Sequence, residues 1–271
     1  MLKLVILIIY FAVLIGIGLY CRKHATDVNG FVLGGRSVGP WLTAFAYGTS
    51  YFSAVVFVGY AGQFGWKYGI AATWAGIGNA IIGSLLAWVV LGRRTRIMSQ
   101  HLDSATMPQY FGKRFGSNPL KIGASVIIFI FLIPYTASLY NGLSRLFGMA
   151  FNIDYSVCII IMATLTAIYV IAGGYMATAI NDFIQGIIML FGIVAVIAAV
   201  IHSKGGFMSA LQGLAKVSDP SVSDTPGIFA SFFGPDPFNL LCVVILTSLG
   251  TWGLPQMVQK FYAIDNEASI Q

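Results

Sequence analysis

Charged residues are what this sequence has least of. Asp, Glu, Lys and Arg make up 9% of its 271 residues and apolar ones 58%, whereas a soluble domain is roughly one-quarter charged. A water-soluble fold is therefore excluded. Period-two alternation is missing as well, which excludes a transmembrane β-barrel. Cysteine is scarce: Cys21, Cys158 and Cys242 stand far apart without Cys-x-x-Cys spacing, so neither a disulfide framework nor a metal site is indicated, and they read as small apolar residues. The three histidines, His24, His101 and His202, fall in loops or at span ends. With no Gly-x-Ser-x-Gly elbow and no His-Glu-x-x-His pair, the chain is not expected to be an enzyme. A channel would need a repeated filter or a ring of charges or carbonyls, and neither is visible. The formal net charge of +6 does not signal nucleic acid, because no Lys/Arg cluster is interleaved with aromatics.

What is present is a succession of long uncharged runs, each near the roughly 20 apolar residues that a bilayer-spanning helix needs. Apolar length and breakers give spans at about 2–21, 40–64, 70–92, 121–147, 155–173, 180–202 and 238–262. The class is an all-α polytopic membrane protein with about seven transmembrane helices. The first run resembles a signal peptide in length, but Arg22 and Lys23 follow it and no small-x-small cleavage pattern does, so it is retained as a helix. Of the separators, 22–40, 93–119, Gly173-Gly174 and 203–237, only the last is expected to hold a small extramembrane element.

Basic residues orient the chain, since cytoplasmic loops are enriched in them. Arg22, Lys23 and Arg36 occupy the first connection, and Arg93, Arg94, Arg96, Lys113, Arg114 and Lys121 the third. These two connections are expected on the cytoplasmic side, with the N-terminus outside and the C-terminus inside.

Two spans depart from simple helix. Tyr47-Gly48-Thr49-Ser50-Tyr51-Phe52-Ser53 puts four hydroxyl side chains beside a glycine, and Thr247 to Gln256 carries two glycines and Pro255. Interrupted helices persist in lipid where they line a cavity or bind an ion, and transporters use them for that purpose. Sodium is a hard cation suited to neutral oxygens such as those of Thr49, Ser50 and Ser53, by the hardness argument made for calcium and magnesium. Such hydroxyls serve equally to bond neighbouring helices or their own backbone. Asp182, where the sixth span begins, is an ion-site candidate or a cap stabilised by the helix dipole. Arg145 ends the fourth span, where it snorkels to the interface.

The stretches Gly34-Gly35-Arg36 through Gly39-Pro40-Trp41, Tyr47 to Ser53, Leu102 through Pro108-Gln109-Tyr110-Phe111 to Arg114-Phe115, and Tyr135-Thr136-Ala137-Ser138 run in order along the chain. Ile171-Ala172-Gly173-Gly174, Asn181-Asp182 to Gln185-Gly186, and Gly250-Thr251-Trp252-Gly253 to Pro255-Gln256 continue the series. Together they resemble the sodium:solute symporter family, the sodium-coupled carriers of proline, pantothenate, sialic acid and sugars. The resemblance implies two inverted five-helix repeats preceded by one extra helix, with the N-terminus outside. It places Thr49 and Phe52 where the family lends backbone carbonyls to sodium, Ser53 where a nearby hydroxyl serves, and Asp182 where an aspartate is linked to sodium passage. Tyr135, Thr247, Thr251, Trp252 and Pro255 fall in regions tied to solute binding or gating, and Ser50, Tyr51 and Gln256 join them from the same stretches.

Proline carriers have an acidic residue in the segment where this chain has Tyr51, a departure that points away from proline. Asn181-Asp182 through Met189-Leu190, His202 to Gly206 and Gly253-Leu254-Pro255 look more like the pantothenate carriers. The resemblance thus implies symport of an organic anion or an amino acid across the cytoplasmic membrane. Sodium is the coupling ion, no other cofactor is implied, and solute, sodium and lipid are the expected partners. Family members have more spans than seven. Residues 1–271 would form one transmembrane domain made of the extra helix at 2–21, the first repeat at 40–202 and the first helix of a second repeat at 238–262. The alternative expectation is a truncated fragment or membrane scaffold that cannot transport alone, because the family's other sodium-ligating helix would lie beyond Gln271.

Overall fold

The computed structural model describes residues 2–52 and 55–270. Helices account for nearly all of them: α1 Leu2–Cys21, α2 Val28–Leu33, α3 Pro40–Tyr51, α4 Ala61–Tyr68, α5 Thr73–Gly78, α6 Arg93–His101 and α7 Met107–Phe115. The long α8 Asn118–Phe151 and α9 Tyr155–Ser203 follow, then α10 Phe207–Ala215, α11 Pro237–Leu249 and α12 Pro255–Ala263. Between α4 and α6 the chain stays helical, in part with the wider π geometry at Asn79–Leu86 and Trp88–Gly92.

Local chemistry sets many of the boundaries. The side chains of Asp27, Thr106, Ser117 and Asp236 accept backbone N–H bonds at the starts of α2, α7, α8 and α11, which satisfies donors that a helix start leaves open. Proline occupies the first turn of α3, α7, α8, α11 and α12, where its missing N–H costs nothing.

Among the described residues, three helical runs are long and apolar enough to cross a membrane: Ala61–His101, Asn118–Phe151 and Tyr155–Ser203. Val5–Cys21 and Pro237–Leu249 are shorter apolar helices. Exposed Val126, Ile127, Ile130 and Phe131 on α8, and Phe191, Val194 and Val200 on α9, make an apolar surface of the kind that meets lipid.

Several boundaries differ from the sequence expectation. The fifth and sixth spans separate at Gly173-Gly174 as expected, but by a kink instead of a loop, with helix on both sides across Tyr155–Ser203. The break is confined to Gly174, at φ 57° and ψ −149°. The connections 22–40 and 93–119 also hold helices, α2, α6 and α7, two of them stabilised by the caps at Asp27 and Thr106; α10 falls in 203–237, the connection expected to hold a small element. Arg145 does not end a helix, since α8 continues to Phe151, and its Nε donates to Asn141 Oδ1 one turn back at 2.9 Å.

The chain divides into two compact units. The first comprises Met1–Val55, Trp88–Gly186 and Gly253–Gln271, and the second Val56–Ala87 and Ile187–Trp252. In the second unit, Tyr68, Ala71 and Ala75 pack with Leu240 and Val244 of α11. In the first, Leu33, Val38, Ala46 and Ala105 form a core with Tyr175 and Ala179 of α9 and Val258, Tyr262 and Ala263 of α12.

Two arginines of the first unit hold the end of α12. Arg36 stands at the end of a left-handed turn, with φ of 60°, 68° and 55° at Gly34, Gly35 and Arg36. That geometry costs a non-glycine residue about 1–2 kcal/mol. The guanidinium offsets it by donating to the carbonyls of Ser104 (2.8 Å), Ser99 (3.3 Å) and Tyr262 (3.4 Å) and to Ser99 Oγ (3.3 Å). Burial, and then the nearby Arg96 charge, lower its pKa from the ordinary value, yet a guanidinium stays protonated in proteins. Arg96 donates to the carbonyls of Ile264 (2.7 Å) and Asp265 (2.9 Å). Val38 and Ile264 form a parallel bridge beside them.

At the kink, a Cβ on Gly174 would lie 2.7 Å from the Phe31 carbonyl oxygen, in a backbone region close to one that is essentially glycine-only. Gly174→Ala is expected to lower thermal stability by about 1–3 kcal/mol. Gly16→Ala, with nothing within 4 Å of its Cβ, serves as the neutral comparison in a detergent melting experiment. Equal melting temperatures for the two variants would contradict the role given to the kink.

Candidate functional site

The site candidates of the first unit gather where the broken second and seventh spans end and begin. Helix α3 stops at Tyr51, with Phe52 at φ −88° and ψ 62° and its N–H on the Gly48 carbonyl at 2.8 Å. Helix α12 starts at Pro255 after the non-helical residues 250–254. Beside these ends lies a cavity of about 790 Å³, lined by Thr49 and Ser50 of α3, Thr106 and Pro108 at the start of α7, Ser125, Phe129, Tyr135 and Thr136 of α8, and Pro255, Gln256 and Gln259 of α12. None of its lining side chains carries a charge. Hydroxyls and carboxamides set in apolar walls suit a small solute that is neutral or zwitterionic.

The polar groups differ in how far they are satisfied. The Thr49 hydroxyl donates back to the Phe45 carbonyl at 2.9 Å, and the Gln259 Nε2 donates to the Val32 carbonyl. Among the described residues, both the Nε2 and the Oε1 of Gln256 are buried without a hydrogen-bond partner. Leaving such a group unsatisfied costs about 1–3 kcal/mol, so the carboxamide has a donor and an acceptor to offer.

Helical spacing sorts the rest of the second span. Thr49 and Ser50 line the cavity, whereas Tyr47 and Tyr51, four residues apart, turn to Met257 and Phe261 of α12, also four apart. Tyr47 stacks on Tyr51 at 6.2 Å and meets Trp88 at 5.4 Å, while Trp88 meets Phe261 edge-on at 4.7 Å. Tyr51 and Phe52 thus belong to an aromatic cluster and not to the cavity lining. Ser53 lies outside the described residues. Thr247, Thr251 and Trp252 lie in the second unit. There the hydroxyls of Thr247 and Ser248 each donate to Asn79 Oδ1 at 3.0 Å, Thr251 Oγ1 donates to the Ser248 carbonyl at 2.9 Å, and the Trp252 indole N–H donates to the Ile82 carbonyl at 3.0 Å.

Asp182 is not a helix cap. It sits inside α9, eight residues past the kink at Gly174, and Thr49 is within hydrogen-bonding reach of its carboxylate. Close packing brings α9 there: a Cβ on Gly186 would lie 2.5 Å from the Phe45 ring and 3.1 Å from Thr49 Cγ2, and Phe45 meets Phe183 edge-on at 4.8 Å. The carboxylate faces Lys260 of α12, with Nζ to Oδ2 at 3.7 Å. Lys260 escaped the sequence reading, although a lone cation in an apolar span is itself a functional signal.

The sequence model described as the sodium:solute symporter family matches residues 31–271. The osmoregulated proline transporter OpuE of Bacillus subtilis (strain 168) is 31% identical over 259 residues, 94% of this chain and 51% of its own length. The sodium/proline symporter of Staphylococcus aureus (strain JH9) is 31% identical over 264 residues, 96% of this chain and 49% of its own. The chain spans about half the length of the curated relatives it matches. Both are named for proline, the solute that Tyr51 seemed to argue against, and the pantothenate-like expectation draws no support from these names.

Replacing Gln256 by Leu removes the unsatisfied carboxamide, so the variant is expected to melt higher, by about 1–3 kcal/mol of added stability. A lower melting temperature in detergent would mean that the carboxamide is satisfied within the fold and is not held ready for a ligand.

Proposed function

Since the chain belongs to the sodium:solute symporter family, we propose that it takes part in sodium-coupled symport of a small organic solute across the cytoplasmic membrane, with the solute held in the uncharged cavity of the first unit. The observation that carries this proposal is the buried, unpartnered carboxamide of Gln256 in a cavity that also presents Thr49, Ser50 and Tyr135. The proposed solute is proline or a similar small amino acid. The names of the two relatives favour it, and a lining without charged side chains suits a zwitterion better than a net anion, which would lack a cationic partner there.

The proposed sodium position involves the end of α3, where Thr49 and Phe52 carbonyls and the Ser53 hydroxyl contribute oxygens, and a second place on its path at Asp182. A helix break supports this proposal because interrupted helices persist in an apolar span where they line a cavity or bind an ion. Thr247, Thr251, Trp252 and Pro255 are proposed to act in gating, as do the aromatic neighbours of Tyr51. The larger arrangement proposed here is an extra helix at 2–21, a first repeat at 40–202 and the opening helix of a second at 238–262, with the N-terminus outside and the C-terminus inside. Sodium binding would favour an outward-open form with higher solute affinity, a coupling of typically about 1–3 kcal/mol.

Uptake of radiolabelled proline into membrane vesicles containing the protein tests the proposal. Uptake is expected to rise at least about fivefold when sodium replaces choline outside, the lower end of typical coupling. Equal uptake in the two salts would refute sodium coupling. Ser53→Ala is expected to shift the sodium activation curve to higher concentration, and an unshifted curve would remove Ser53 from the ion site.

A further inference from the structure

The pair formed by Asp182 and Lys260 is built loosely for one so enclosed. The Lys260 side chain is 7% exposed and that of Asp182 23%, so the ammonium is sealed while the carboxylate keeps an open side. Their 3.7 Å separation is well beyond the roughly 2.7–2.9 Å of a charge-assisted hydrogen bond. The ammonium also lies 4.9 Å from the centre of the Tyr175 ring. Beside them are oxygens with capacity to spare: the Tyr175 hydroxyl, on the ring next to the ammonium, is buried without a partner among the described residues, and Thr49 is within reach of the carboxylate. One carboxylate with neutral hydroxyl oxygens is a hard donor set, suited to an alkali cation by the same hardness argument as for calcium and magnesium.

From this geometry we infer that the Lys260 ammonium is a tethered cation that competes with sodium for Asp182, so that sodium reaches the carboxylate only as Lys260 withdraws. This rests on the proposed passage of sodium at Asp182. Two cations cannot share one carboxylate in a medium of low dielectric without strong repulsion, so occupancy by one excludes the other. Lys260 follows Gln256 by four residues on α12, and residues so spaced lie on one face of a helix. Displacing the ammonium therefore acts on the helix that presents Gln256 to the solute cavity, which gives the ion a physical route to the solute site.

Thermal melting of the purified chain in sodium chloride and in choline chloride, at equal ionic strength, tests the inference. Lys260→Gln leaves Asp182 without its counter-ion. It is expected to melt lower than wild type in choline, to recover in sodium, and to reach half-recovery at a sodium concentration at least tenfold below that giving half of any wild-type response. Lys260→Arg should behave as wild type, and the double variant Asp182→Asn, Lys260→Gln should fold with no sodium response. If Lys260→Gln is equally destabilised in both salts while the double variant folds, Lys260 is a structural counter-ion only and the inference falls. A sodium recovery that survives Asp182→Asn would place the ion elsewhere and overturn the sodium position at Asp182 as well. Because melting reads ion binding and not transport, a failure of sodium-driven uptake is distinguishable from a failure here.

Discussion

Five backbone carbonyls, those of Ser99, Ser104, Tyr262, Ile264 and Asp265, accept from just two guanidinium groups. Arg36 and Arg96 thereby fasten three segments that are distant in sequence. A helix ending in an apolar protein leaves carbonyls that water cannot reach, and arginine, with five donors in a fixed fork, closes several at once. The cost of burying each charge is met by aiming it at partial negative charge instead of at an acid. With the last residues of α12 fixed in this way, Met257 and Phe261 meet Tyr47 and Tyr51, Lys260 meets Asp182, and Gln256 meets the cavity.

On the proposed reading, that arrangement places ion and solute chemistry on the same short helix. The cavity has hydroxyls, a carboxamide and apolar walls, whereas the ion pair beside α9 concentrates the charge. Separating the two in this way would let a zwitterion enter without a fixed charge to repel either of its ends. The close approach at Gly186 is what permits it, since a side chain there would push α9 away from Thr49 and Phe45.

Much of this was legible beforehand, and the reasons are specific. Low charge and long apolar runs determine the class because lipid tolerates little else. Hydroxyl, glycine and proline clusters at Tyr47–Ser53 and Thr247–Gln256 marked two helix breaks, and the structure has both. Thr49, Ser50, Tyr135, Pro255 and Gln256 do share a cavity. That Tyr51 packs in the aromatic cluster and not in the cavity lining is not legible, because a stretch of seven residues covers every face of a helix and only its partners on α12 decide which face is buried. Of the two readings of Asp182, ion-site candidate or cap, the cap falls because helix resumes directly after Gly174, well before Asp182. The basic residues were counted as topology signals, and that count was blind to Arg36 and Arg96 being ligands of carbonyls. Lys260 carries a signal as a lone cation in an apolar span, but its partner is not legible, because Asp182 lies 78 positions away.

The end of α12 also has a mechanical meaning. This nine-residue helix is pinned at its C-terminal end by the two arginines, while its N-terminal end follows directly on the irregular residues 250–254. A rod held at one end pivots, and displacement grows with distance from the pin. Tyr262, beside the arginines, would scarcely move; Lys260 would move a little, and Gln256, near the far end, the most. In the proposed sites, a small shift at the ion would thus be magnified at the solute, with the helix as lever and the arginines as fulcrum.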